Sequence, residues 1–169
     1  MHQPWASLLV HGIKRIEGRS WSAGDFHGTL FIHAAAKPPN PEDVAMVEEQ
    51  YRVLYALDGV EEVSVPKAYP TSCLLGCVDV VCCLSAAEFS RVPNLSASQR
   101  AESEADHVFL CQNPRHLILP RGNMGGDHKI WHLPREETRG IDLGLVASQG
   151  AVHTDFRKLF EPREEKPQF

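Results

Sequence analysis

The sequence predicts an α+β fold, a small barrel of several short strands flanked by two or three helices. Three observations carry that expectation. Helical periodicity is concentrated in residues 41–57, a long apolar and β-branched run fills residues 73–84, and short extended segments follow residue 106, separated by turn chemistry. With 169 residues and 43% hydrophobic content, the chain is the size of one domain with a real core.

The elements follow in order. Residues 5–10 (Trp-Ala-Ser-Leu-Leu-Val) suit a short amphipathic helix, with Pro4 in its first turn and Gly12 as its stop. Ile16 and Trp21 flank a short extended segment that carries Glu17 and Arg19, and residues 22–28 are turn-like. Residues 28–34 form a strand that ends before Pro38 and Pro39. Residues 41–57 make the best helix: Pro41 opens it, Glu42 and Asp43 fill its first turn, and Val44, Val47, Tyr51, Leu54 and Tyr55 recur at helical spacing. The run Cys73–Leu84 reads as a central strand, with Gly76 marking a bulge or a close backbone approach. Residues 90–105 lack periodicity and read as a mobile surface loop. Three short strands are expected at 107–112, 116–119 and 129–133, punctuated by Asn113-Pro114 and by residues 122–126. Residues 1–135 are the expected domain, and 136–169 a polar, partly ordered extension.

Composition removes several function classes. No run approaches the roughly 18 apolar residues that span a bilayer, so no membrane role is expected. Met1 is followed at once by His-Gln-Pro-Trp without a basic start or apolar region, so nucleus or cytoplasm is the expected location. The five cysteines (Cys73, Cys77, Cys82, Cys83, Cys111) are odd in number and sit in apolar runs, which suits free buried thiols better than a disulfide framework. Their spacing is not two CxxC pairs, and no second ligand pair sits at structural-zinc spacing, so no metal and no cofactor are expected. The glycine-rich stretch 121–129 lacks the Gly-Lys-[Ser/Thr] ending of a P-loop.

The formal charge of −5 is unfavourable for a phosphate binder, yet it is unevenly spread. Residues 1–40 carry four basic groups against two acidic ones, a local +2, whereas residues 41–66 carry one against seven, a local −6. The acidic helix thus accounts for the deficit and need not face a ligand. Modest, salt-sensitive affinity is the consequence.

The chemistry concentrates between His2 and Trp21, around Gly12, Lys14, Glu17 and Arg19. On an extended segment Arg15, Glu17 and Arg19 share one face and Lys14 the other. Lys14 joins Glu17 only if the chain is still turning as it leaves the helix, which a positive φ at Gly12 permits. A Lys, a Glu and an Arg converging there can hold a phosphate and read a base edge; the plain alternative is a surface ion pair of little energetic weight.

The stretch from Gln3 to Trp21, with GxKxxExR met in full by Gly12, Lys14, Glu17 and Arg19, resembles the signature of the ASCH domain, a family of PUA-like β-barrels. Further matching blocks are Gly28-Thr-Leu-Phe-Ile, Tyr69-Pro-Thr-Ser-Cys-Leu-Leu-Gly-Cys-Val-Asp, Cys111-Gln-Asn-Pro and Lys129-Ile-Trp. The resemblance runs from residue 2 to about 133. It implies a barrel of about five or six strands with a cleft beside the first helix, suited to RNA or DNA, single-stranded or flexible. It also implies a role in transcription coactivation or RNA metabolism. Coactivator proteins are expected as partners only through regions this chain does not carry, and the domain is expected to be a monomer.

The residues expected to meet nucleic acid are Lys14, Glu17, Arg19, Arg15, Trp5, Ser7, Gln3, Trp21, Arg121 and Lys129. Tryptophans offer stacking platforms, with Trp5 read as a cleft wall, Trp131 as core and Trp21 as either. Arg121, His128 and Lys129 flank the glycine-rich loop, which can present amides to phosphates or serve only as a hairpin connection. Some ASCH-like proteins are amidohydrolases of acylated cytidines that use a Lys, a Thr and a Glu. Lys14 matches the Lys, but Glu17 stands where the Thr belongs, and a neighbouring carboxylate holds an ammonium charged. Catalysis is therefore the alternative reading, with binding preferred. A third is a protein-interaction module built on the acidic helix, whose mark would be an exposed apolar stripe; the sequence favours a buried one.

Overall fold

The computed structural model describes residues 1–122 and 125–160. Part of the glycine-rich loop and the last residues of the expected extension lie outside the described residues. The fold is α+β, built on an antiparallel sheet of five strands. Helix α1 (Trp5–Val10) leads into β1 (Ile16–Arg19) and β2 (Gly28–Ala34), then α2 (Pro41–Ala56) and β3 (Cys73–Ser85). Two short helices, α3 (Ala86–Ser90) and α4 (Ala97–Ala101), precede the long β4 (His107–Gly122), followed by α5 (Arg135–Thr138) and β5 (Leu145–Ala147). The order β1-β4-β3-β2 puts β3 and β4 at the centre, and β5 shares the β4 edge with β1. Ile16 pairs Leu110 on the first half of β4, and Val146 pairs His116 on the second. Among the described residues no pairing joins β2 to β1, so the sheet is open where a barrel was expected. No described helix is long and apolar enough to cross a membrane.

Residues 73–85 form the central strand for the expected reason, and Gly76 does what a strand glycine can. Its φ is +152°, and a Cβ there would stand 2.1 Å from the Arg115 carbonyl oxygen. The register shifts between Leu74 and Gly76, so Cys73, Leu75, Val78 and Val80 all face one core. A second irregularity spares β4 a break. Asn113 has φ +49° and Pro114 lacks an N–H, yet the chain continues because both fall between the Gln112–Asp79 and Arg115–Cys77 pairs. The expected strands 107–112 and 116–119 are therefore one. The third, 129–133, does not form: Lys129 adopts φ +60°, which ends any extended run.

Among the described residues the helices are five rather than two or three. Residues 90–105, expected as a mobile loop, hold α4 instead, closed by a capping box in which Ser96 and Gln99 satisfy each other's backbone N–H groups. The same device, Ser85 with Glu88, opens α3. Beyond Trp5, helix α1 is buried on every side rather than amphipathic. Ala6, Leu9 and Val10 pack on the sheet, while Leu8 packs with Ile13 and with Val47, Tyr51 and Tyr55 of α2. Residues beyond 135, expected as a polar extension, carry two buried anchors. Ile141 packs with Leu74 and Leu117, and Phe156 packs with Ile16, Val108 and Leu110. All five cysteines are free, and burial pushes the Cys77 and Cys82 thiols up to about 11, as suits packing groups rather than nucleophiles.

Candidate nucleic-acid interface

The motif is folded by the exit from α1. Ile13 and Lys14 both return their N–H groups to the Leu8 carbonyl, at 2.9 and 3.1 Å, while Gly12 takes φ +74°. The chain is therefore still turning at Lys14, the condition under which Lys14 can join Glu17. Tyr55 locks this turn from α2 by donating its hydroxyl to the Ile13 carbonyl at 2.8 Å.

Glu17 stands between two cations, 3.3 Å from Lys14 Nζ and 2.7 Å from Arg19 Nη2. Lys14 also donates to the Ile16 carbonyl at 2.7 Å. Lys14 and Glu17 are buried, whereas the Arg19 side chain is 34% exposed and faces outward. This is not the weak surface pair that spacing alone left open. Lys14 therefore has two acceptors within reach, the Ile16 carbonyl and the Glu17 carboxylate.

Glu17 and Arg19 line a cleft of about 950 Å³. Trp21 and Trp131 stand in its walls, with Phe109 packed edge-on against Trp21 at 5.6 Å between centroids. Lys129 Nζ lies 5.5 Å above the Trp21 ring, a cation–π contact. The loop reaches the opposite wall, where Gly126 lies so close to the His33 ring that a Cβ would stand 2.9 Å from its Nδ1. His33 in turn packs edge-on against Trp131.

The other expected residues are placed differently. Trp131 is half-buried in the cleft wall rather than the core, because residues 129–133 fold over the sheet instead of joining it. Trp5 is 39% exposed and lines neither large cavity, so it is no wall of this cleft. Gln3 and Ser7 are buried and committed to each other, with Gln3 donating to Ser7 Oγ at 2.8 Å and to the Pro70 carbonyl at 2.7 Å. Arg121 donates to the Glu137 and Arg139 carbonyls and so fastens the C-terminal end of α5. Arg15 departs most from expectation. It points away from Glu17, is 2% exposed, pairs with Glu102 at 2.9 Å, donates to Ser98 and lies over the Tyr55 ring. Strand alternation placed it beside Glu17, but Arg15 precedes the first paired residue of β1, where alternation does not yet apply.

Sequence reasoning missed Glu102, His33 and Phe109. Glu102 accepts from the backbone N–H groups of both Arg15 and Ile16 and so holds the start of β1. The signal for it was the capping box Ser96-x-x-Gln99, which announces a helix ending beside Glu102. His33 carried only the weaker hint of its place near the end of β2.

A model of the ASCH domain matches residues 1–121. The chain is 42% identical over 153 residues to Activating signal cointegrator 1 of Homo sapiens, and equally so to that of Mus musculus. The match covers 90% of this chain and 25% of either relative, so the chain spans about a quarter of their length.

Proposed function

The chain belongs to the ASCH domain family, and on that premise we propose that it is a non-catalytic module binding single-stranded or flexible RNA or DNA in the cleft of Glu17 and Arg19. One observation carries this reading: a half-exposed arginine, oriented by a buried carboxylate, stands in a cleft walled by two tryptophans and bordered by an exposed lysine. Arg19 gives one nitrogen to Glu17 and presents the rest of its fork to a phosphate or a base edge. Trp21 and Trp131 offer faces on which bases stack, each worth about 1–3 kcal/mol. The name of the cointegrator relatives fits a role in transcription coactivation, in the nucleus.

Titration with labelled single-stranded RNA and DNA at low and moderate salt tests the proposal. Arg19→Ala is expected to weaken binding by about tenfold or more, one charge-assisted contact being worth roughly 1.5–3 kcal/mol, and Lys14→Ala to weaken it by releasing Glu17, which orients Arg19. Thermal melting of Lys14→Ala separates lost affinity from lost folding. Wild-type affinity in both variants would sink the assignment.

A second reading is favoured by α2. Its inner stripe, Val47, Tyr51 and Tyr55, is buried as expected, but Met46, Val53 and Leu57 are exposed at helical spacing beside Glu42, Asp43 and Glu49. That surface suits a basic amphipathic segment of a protein partner. A peptide of that kind should bind the wild type and not Val53→Glu; equal binding to both discards the reading.

A further inference from the structure

Strand β2 is the last strand of the sheet, and its outer edge is only partly taken. The Met1 amino group donates to the His33 carbonyl at 2.6 Å, and the Ala35 N–H donates to the Met1 carbonyl at 2.7 Å. The main chain of His33 is therefore turned away from β3. In an antiparallel pair, residues that give both N–H and carbonyl to the neighbouring strand alternate with residues that give neither. The register shift between Ile32 and His33 skips Leu75 on β3 and leaves β2 unbroken, so Ile32 faces β3 and Phe31, like His33, faces outward. Among the described residues nothing hydrogen-bonds the Phe31 N–H or carbonyl on that outer side.

The cleft runs along this edge. Leu30 and Ile32 belong to the core under α1, whereas Phe31 packs with Leu74 and Leu117 on the opposite face of the sheet. All three line the cleft, as does His33. A cavity touched by successive residues from both faces of an edge strand lies against the edge itself. Residues 125–131 close it from the other side, with Ile130 on the core under α1 and Trp131 against His33. Leu9 and Cys111 part the cleft from a second cavity behind Lys14, walled by residues 147–154, and the β2 edge belongs to the cleft alone.

The open stretch is short, and that decides what it fits. An added peptide strand draws its affinity from several main-chain pairs in succession. Here His33 is taken by Met1 and Thr29 does not line the cleft, so one N–H and one carbonyl are left. One donor beside one acceptor, among rings that can stack and cations that can meet phosphate, matches the Watson–Crick edge of a single nucleobase.

We propose that the Phe31 main chain reads that edge: its carbonyl accepts from a ring or amino N–H of the base, and its N–H donates to the neighbouring acceptor. The inference rests on the nucleic-acid reading of the cleft and adds what selects the strand. Every base carries a donor beside an acceptor on this edge, so the contact does not choose among sequences. In a duplex the edge is already spent on the complementary strand, so the contact admits only unpaired bases.

Short oligomers of thymidine and of uridine, compared with counterparts built from N3-methyl bases, test this on the full chain. The methyl group keeps the charge and the stacking face of the strand and removes the donor from its edge. Unmodified strands are expected to bind about tenfold more tightly than methylated ones, and more tightly than the same strands annealed to their complements. In nitrogen-15 NMR the Phe31 amide proton should move downfield and exchange more slowly with the unmodified strand, and not with the methylated one. If no oligomer binds, or Arg19→Ala binds as wild type does, the cleft reading itself fails and takes this inference with it. If binding depends on Arg19 but methylated strands or duplexes bind equally well, or the Phe31 amide does not respond, the reading by Phe31 alone is overturned.

Discussion

Arg15 and Glu17 lie two residues apart and end in different parts of the molecule. Glu17 reaches the cleft between Lys14 and Arg19, whereas Arg15 is drawn under the turn by Glu102 and by the face of Tyr55. Glu102 therefore serves stability rather than binding. Glu102→Gln would leave a buried guanidinium unpaired, at a cost of about 3–5 kcal/mol that lowers the urea midpoint. A second residue gives a pH dependence. Burial lowers the His11 pKa below its ordinary 6.5, the stacked His116 ring at 4.8 Å lowers it further, and the hydrogen bond to the Ser7 carbonyl opposes both. The unfolded chain then takes up the proton more readily than the folded one. The contribution is present above about 6.5 and is lost as pH falls through the lower folded value. Melting temperature should thus fall between about pH 7 and 5, and less so in His11→Gln.

Elements with a strong local pattern were legible. Helix α2 runs Pro41–Ala56 where residues 41–57 showed helical periodicity, and the apolar run from Cys73 is the central strand. Elements decided by contacts elsewhere were not. Helix α4 is a single turn with a capping box and no apolar period, and residues 129–133 look like a strand yet follow Trp21 and the cleft. Strand β5 and Phe156 are the strongest case, because three residues of strand and one phenylalanine carry little pattern. Phe156 nonetheless fills the core beside Ile16, the first residue of β1. Phe156→Ala should cost about 3–5 kcal/mol and speed amide exchange in β1 before it does so in β2. Equal exchange in the two strands would count against this coupling.

For the whole molecule the decisive quantity is where its charge lies. A net −5 with a local −6 over residues 41–66, the stretch that holds α2, permits binding at the cleft but limits its strength. If Arg19 and Lys129 are the two phosphate contacts, the logarithm of affinity for a single strand should fall with log salt with a slope of about −1.4. A slope several times steeper, read from titrations at a series of salt concentrations, would mean that a larger basic surface carries the binding.

By itself the sequence determined the family motif and the α+β class, and it permitted the convergence of Lys14, Glu17 and Arg19 if the chain still turns at Lys14, because each is written in local pattern and spacing. Only the tertiary structure decided that Arg15 leaves that group, that Trp131 rather than Trp5 walls the cleft, and that a second cavity lies behind Lys14. Each of those depends on residues far away in sequence, Glu102, His33 or the segment 147–154, and the energy of burying a charge or a ring is set by such neighbours in space and not by chain neighbours.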